Sequence, residues 1–180
     1  MAATAADVLT LYPALHHPRA LWLAPKDAAL PTYLDTQLSQ QAWALGEVMS
    51  GIAWVELATF EAFVPQMLNY ESVDGVNFKK GCYPGQEVVA RSQFRGTLKR
   101  RTFLAQSASA LQAGQELFHV TDASQPAGVV AQATTHPSHG HWALVCLQVD
   151  QTEGVLYPAG GSPKTPLTLK LLPYALRDDI

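Results

Sequence analysis

The chain has 180 residues, 48% of them hydrophobic and 15% charged, and carries a formal net charge of −3. That balance describes a globular protein with one sizeable core or two small ones, not a disordered segment. It excludes an overall basic nucleic-acid binder, and two cysteines are too few for a disulfide framework.

The first fourteen residues are apolar but short, ending near Pro13, and read as a ragged start or a helix taken out of context. His16 to Ala24, with Leu21-Trp22-Leu23 between Pro18 and Pro25, reads as a strand. Thr32 or Asp35 caps an expected helix running to about Ser50. Leu38, Ala42, Leu45 and Met49 form its apolar stripe and Gly51 is its stop. Ile52 to Val55 is a short extended piece, and Thr59 opens a helical turn that Pro65 limits. Asp74-Gly75 marks a turn before an expected strand at Val76-Asn77-Phe78. A second helix is expected over Gln86 to Gln93, with Val88 and Val89 facing inward, Arg91 and Arg95 at its margin and Gly96 ending it.

From Lys99 the pattern changes to short apolar or alternating runs: Thr102 to Ala105, Glu116 to Val120, Gly128 to Ala133, Trp142 to Val149 and Leu167 to Leu172. Turn-rich pieces such as Gln125-Pro126, His136-Pro137-Ser138 and Gly160-Gly161-Ser162-Pro163 separate them. Runs so punctuated predict a small antiparallel β-barrel. The fold class is therefore α+β, with residues 1–97 as an α+β part and 98–180 as the barrel.

The most informative stretch is Lys79-Lys80-Gly81-Cys82-Tyr83-Pro84-Gly85-Gln86-Glu87. A thiol close to a helix N-terminus and two lysines is biased toward the thiolate, the form that attacks and ligates. Gly81 and Gly85 let backbone turn or approach a ligand, and Pro84 suits a first helical turn. Lys79, Lys80, Arg91, Arg95, Lys99, Arg100 and Arg101 are seven of the twelve cationic side chains, opposed locally by Glu87 alone. Such an excess can attract a phosphate, an acidic tail or an RNA backbone, or can simply be solvated surface.

Lys80-Gly81-Cys82-Tyr83-x-Gly85-Gln86-Glu87 resembles the signature of the YgfZ family, part of the folate-binding superfamily of the glycine-cleavage T-protein. Gly51-Ile52 and Phe63-x-Pro65-Gln66-x-x-Asn69 upstream, and Val89-Ala90-Arg91, Phe94-Arg95-Gly96 and Lys99-Arg100 downstream, resemble flanking segments of that family. The likeness is close over roughly Ala42 to Arg101. Family members run to about twice this length, so the resemblance implies the end of a T-protein-like folate-binding domain followed by a barrel, a C-terminal portion. It implies a cytoplasmic, folate-dependent accessory protein that supports iron–sulfur cluster assembly or repair, and through it tRNA modification. Cys82 is then the working thiol. Lys80, Gly81, Tyr83, Gly85, Gln86 and Glu87 are the cofactor-binding set for tetrahydrofolate or a derivative. Lys79, Arg91, Arg95, Lys99 and Arg100 are the anion or RNA set. Expected partners are folate, iron–sulfur client or assembly proteins and tRNA. A half-domain would also leave a sheet edge and apolar face open, which implies self-association or a missing segment.

Other constellations carry less. One loop thiol cannot hold an iron–sulfur cluster, which normally takes four thiolates, so no cluster belongs to this chain alone. Cys146, in an apolar strand, reads as core. Glu87 suits the first turn of its helix through the dipole, and Gln66 and Asn69 suit backbone groups around the loop. His136-x-x-His139-x-His141 reads as an exposed hairpin tip rather than a metal site. Trp22, Trp43, Trp54 and Trp142 read as core or interface aromatics. No run of about 18 apolar residues would span a membrane, and Met1-Ala2-Ala3-Thr4 lacks a signal peptide's basic start. No serine–histidine–acid order or phosphate-binding loop appears. The enzyme alternative is an aminomethyltransferase-like tetrahydrofolate activity, and a further alternative is a tRNA-binding module built on the basic stretch.

Overall fold

The computed structural model describes residues 7–29, 40–81, 83–94 and 98–177. It is mostly antiparallel β with two helices. Chain order begins with a hairpin, β1 (Asp7–Ala14) and β2 (His17–Leu23), then α1 (Gln40–Met49) and two 3-10 turns, Leu57–Thr59 and Pro65–Leu68. Then follow α2 (Glu87–Phe94), β3 (Arg100–Ser107), β4 (Glu116–His119), β5 (Asp122–His136), β6 (Gly140–Gln148), β7 (Leu156–Pro158) and β8 (Thr168–Lys170).

The last six strands form one antiparallel sheet in the order β7-β4-β5-β6-β3-β8. It curls until its two ends touch at one bridge, where Leu167 N–H donates to Leu156 O at 2.8 Å. Curling sends the two faces of the central strands to two separate cores. Inside lie Ala105, Leu117, Val130, Val145, Leu147 and Leu156. On the outer face Leu104, Ala131, Trp142 and Leu144 meet Val48 of α1, Ala53 and Leu68. Because β6 is buried on both faces, Trp142-Ala143-Leu144-Val145-Cys146-Leu147 reads as a continuous apolar run without alternation.

Each barrel run expected from sequence contains a strand, although Val120, Val149, Leu167, Leu171 and Leu172 fall outside them. Two further details differ. Leu156-Tyr157-Pro158 pairs as β7, too short to show a period. Gln125-Pro126, expected as a turn, lies inside β5, where Pro126 faces Phe118 between two register shifts, a position that tolerates a missing N–H.

The first half differs more. Residues 7–14, expected to be ragged or helical, form β1, antiparallel to β2 in the register Leu9↔Leu21 and Thr10↔Ala20. Two residues connect the strands, and Leu15 sits there at φ 54°, with its N–H donating to Met49 O at 3.0 Å. The expected cap of α1 at Thr32 or Asp35, and Leu38, lie outside the described residues. Leu45 and Met49 border the outer core as expected, but Ala42 is exposed and Glu47 and Val48 are buried instead. Gly51 ends the helix at φ +74°, and a Cβ there would sit 2.7 Å from Tyr174 Cε1, so both backbone conformation and packing select glycine.

Thr59 closes the first 3-10 turn and Pro65 begins the second, at a helical first position where a proline costs no hydrogen bond. Val76-Asn77-Phe78 is not a strand: it follows the Asp74 turn as irregular backbone that enters a further turn at Phe78. Val88 is exposed, and Val89 alone of the expected pair is half-buried. Among the described residues, no helix is long and apolar enough to cross a membrane.

Candidate functional site

The glycine-flanked loop is held against the sheet from below by two buried amides. Gln66, fully buried in the second 3-10 turn, donates from Nε2 to Val89 O at 2.6 Å and so fixes the height of α2. Asn69, also fully buried, adopts φ 60° and exchanges two hydrogen bonds with the backbone of Thr102 on β3, at 2.7 and 3.3 Å. Gln66 therefore serves the expected backbone role beside the loop, whereas Asn69 ties the 3-10 turn to the barrel.

The loop closes on itself. Lys79 N–H donates to Asn77 Oδ1 at 2.8 Å, Gln86 N–H donates to Tyr83 O at 3.1 Å, and Tyr83 N–H returns to Gln86 Oε1 at 3.2 Å. That reciprocal pair fixes the entry to α2. Glu87 follows in its first turn and pairs with Arg91 one turn on, both largely exposed. Such a pair is worth a few tenths of a kcal/mol, about 0.3–0.5.

Between the loop and α2 opens a cleft of about 260 Å³, walled by Pro65, Phe78, Lys80, Gln86, Val89 and Ala90, with residues 75–77 and Gly81 at its side. It brings together Lys80, Gly81 and Gln86 of the expected binding set. Tyr83, Gly85 and Glu87 do not line it; the Tyr83 ring is 74% exposed. Cys82 and Arg95 lie outside the described residues. Lys79, Arg91, Lys99 and Arg100 are exposed as an anion-facing set requires, but Arg101 is not part of that surface. Its guanidinium is buried against the Glu71 carboxylate and also donates to Arg177 O at 3.0 Å.

A second, larger cavity of about 590 Å³ was not foreseen from the sequence. The hairpin, α1 and residues 50–55 enclose it. Trp43, Trp54, Tyr70, Leu11 and Leu21 line it, and one polar cluster lies in its wall. There Glu47 accepts from Arg19 on one carboxylate oxygen and from Trp54 Nε1–H on the other, while Arg19 lies over the Trp43 ring at 5.1 Å. Tyr70 donates its hydroxyl proton to Ala53 O, and burial holds its phenol above the ordinary value. The spacing Trp43-x-x-x-Glu47, one helical turn on a buried face, was the signal available. The two cavities share a turn: Gly75, at the cleft, donates its N–H at 2.7 Å to the carbonyl of Tyr70, at the larger cavity.

The remaining candidates have structural places. Cys146 is fully buried, and burial pushes its thiol up to about 11 despite the Arg100 charge and a hydrogen bond with Thr102. His136 accepts the N–H groups of Ser138 and His139 on Nδ1, at 3.0 and 3.1 Å, folding the β5–β6 tip. Trp142 is core, while Trp54 is 59% exposed.

The structure is a β-rich module: a curled antiparallel sheet carrying a basic, glycine-flanked loop and two clefts on its outer side. No family model matches the chain. It is 34% identical over 152 residues to the "tRNA-modifying protein YgfZ" of Photobacterium profundum, covering 82% of this chain and 46% of that protein. To the protein of the same description in Photorhabdus laumondii it is 32% identical over 151 residues, covering 81% and 46%. An Escherichia coli protein so described is 38% identical over 110 residues. The chain belongs to the YgfZ family, and it spans about half the length of the curated relatives it matches.

Proposed function

We propose that this chain supports tRNA modification in the cytoplasm as a folate-dependent accessory to iron–sulfur enzymes, with the loop around Cys82 as its working surface. The observation that carries the reading is the exposed cations Lys79, Lys80 and Arg91 standing beside a cleft, in a chain whose relatives are described as tRNA-modifying. Cys82 supplies the thiol. The charges close to it in sequence favour its thiolate, and the described lining of the cleft, with the Lys80 ammonium and the Gln86 amide, suits binding and handover.

Reduced folate is the proposed small molecule, in the larger cavity. Small-molecule sites commonly measure about 300–1,000 Å³, a range that includes this cavity and excludes the loop cleft. Trp43, Trp54 and Tyr70 offer faces to a flat ring, and the Arg19–Glu47 pair offers the polar contact. The loop residues Lys80, Gln86 and Glu87 then serve the loop rather than the pterin. Iron–sulfur clients are proposed to dock on the loop.

The test is expression of the chain in a bacterium lacking its own relative, with cluster-dependent tRNA modification as the readout. Restoration by the wild-type chain and not by folded Cys82→Ala is expected. Failure of the wild-type chain, or full activity of the alanine variant, removes the reading. Tetrahydrofolate should also change the tryptophan fluorescence of the wild-type chain, and the change should need a higher folate concentration in Trp54→Ala, where Trp43 still reports.

A further inference from the structure

We infer that the loop face binds single-stranded RNA directly, with one unstacked nucleobase lying on Tyr83 and reaching into the adjoining cleft; this deepens the tRNA-modification reading and rests on it. Three independent features converge. The Tyr83 ring is 74% exposed on a loop where an apolar ring gains nothing from the fold. A Cβ placed on Gly81 or Gly85 would meet nothing within 4 Å, so the loop backbone at both glycines stands open. The cleft between loop and α2, about 260 Å³, has apolar walls and an amide-and-ammonium edge from Asn77, Gln86 and Lys80, room for part of a nucleotide such as one base edge rather than a whole ligand.

Charge decides which ligand this suits. Lys79 and Lys80 are exposed on the loop, Arg91 is held by Glu87, and Asp74 is an exposed acid on the turn next to Gly75 of the cleft. The face is net positive on a chain whose net charge is −3. Cations track a phosphate backbone, and an exposed aromatic ring takes a base by its π-face. A duplex keeps its bases stacked and offers none to the cleft, so single strands, loops and ends are the substrate class.

Fluorescence anisotropy with a short single-stranded RNA, and with the same sequence as a blunt duplex, tests this on the full chain. The single strand should bind more tightly, with affinity falling between about 50 and 200 mM salt. Tyr83→Ala should weaken binding roughly tenfold or more without altering the salt slope, and Tyr83→Phe should retain it. Lys79→Ala should instead lower the slope, by about 0.7. Both side chains are exposed, and unchanged thermal midpoints establish that the three variants fold. Equal affinity for the duplex, a polyglutamate probe binding as well as the RNA, or a Tyr83→Ala change within twofold overturns the inference. Absent RNA binding in a chain that still restores tRNA modification sinks this inference and spares the proposed function. Tyrosine-dependent RNA binding without restoration does the reverse.

Discussion

The barrel and the face mounted on it solve opposite problems with the same chain. In the barrel, β6 buries side chains on both sides, and Leu104, Leu117, Leu144 and Leu147 are fully enclosed. On the outer face, Leu57 is 93% exposed and Phe60 66%, two cavities stand open, and polar contacts replace packing as the means of fixing position. The difference separates the part whose sequence is constrained by volume from the part free to carry chemistry. Interiors tolerate little change in volume, whereas surface loops on a rigid base are where binding residues accumulate.

The strongest way to break that division is to attack the joint between the two parts. Glu71 and Arg101 form a buried pair linking the segment after Asn69 to β3. Glu71→Gln keeps the volume but leaves a buried guanidinium without a counter-charge, and should cost about 3–5 kcal/mol in urea unfolding. A loss under about 1 kcal/mol would show that water reaches the pair and that the joint is loose.

Next comes the barrel interior itself. Leu117→Ala removes a fully buried side chain from the inner core and should cost about 2–5 kcal/mol, depending on how far the strands collapse into the gap. A value near zero would mean that the inner core is not close-packed.

A smaller effect follows from Cys146. Its folded thiol titrates at about 11 against an ordinary value of 9.0, so the folded state holds its proton after the unfolded chain has lost it. The stabilisation is complete below pH 9 and is lost as pH rises toward 11. One unit of pKa is about 1.4 kcal/mol, so the loss should reach roughly 2–3 kcal/mol. Cys146→Ala should show a flatter decline over that interval. Identical slopes in the two proteins would mean that this thiol is not sealed.

The same division explains what could be read from sequence. Strands buried on both faces announced themselves as apolar runs, and the loop announced itself by glycines, lysines and a family signature. The hairpin did not, because its turn lacks turn chemistry. Leu15 adopts a left-handed conformation held by its bond to Met49 O, a contact more than thirty residues away in sequence. Arg101 counted as a surface cation until Glu71 was found beside it. The larger cavity is assembled from the hairpin, α1, residues 50–55 and Tyr70, and the Trp43-x-x-x-Glu47 spacing within α1 does not by itself bring those pieces together. Contacts distant in sequence, not weak local signals, account for what was illegible.

The smallest expected effect is the sharpest test of the division. Tyr83→Ala removes a large aromatic ring, yet that ring lies outside the cleft lining and is mostly in water. Its stability cost should therefore stay within about 0.5 kcal/mol, the range for surface substitutions away from caps and buried networks. Its main-chain bonds to Gln86 survive the substitution, because both use the Tyr83 backbone and not its ring. A loss of about 2 kcal/mol or more in urea unfolding would place the ring in the fold's own packing. The loop would then belong with the barrel as structure, and the exposed aromatic would need no ligand to account for it.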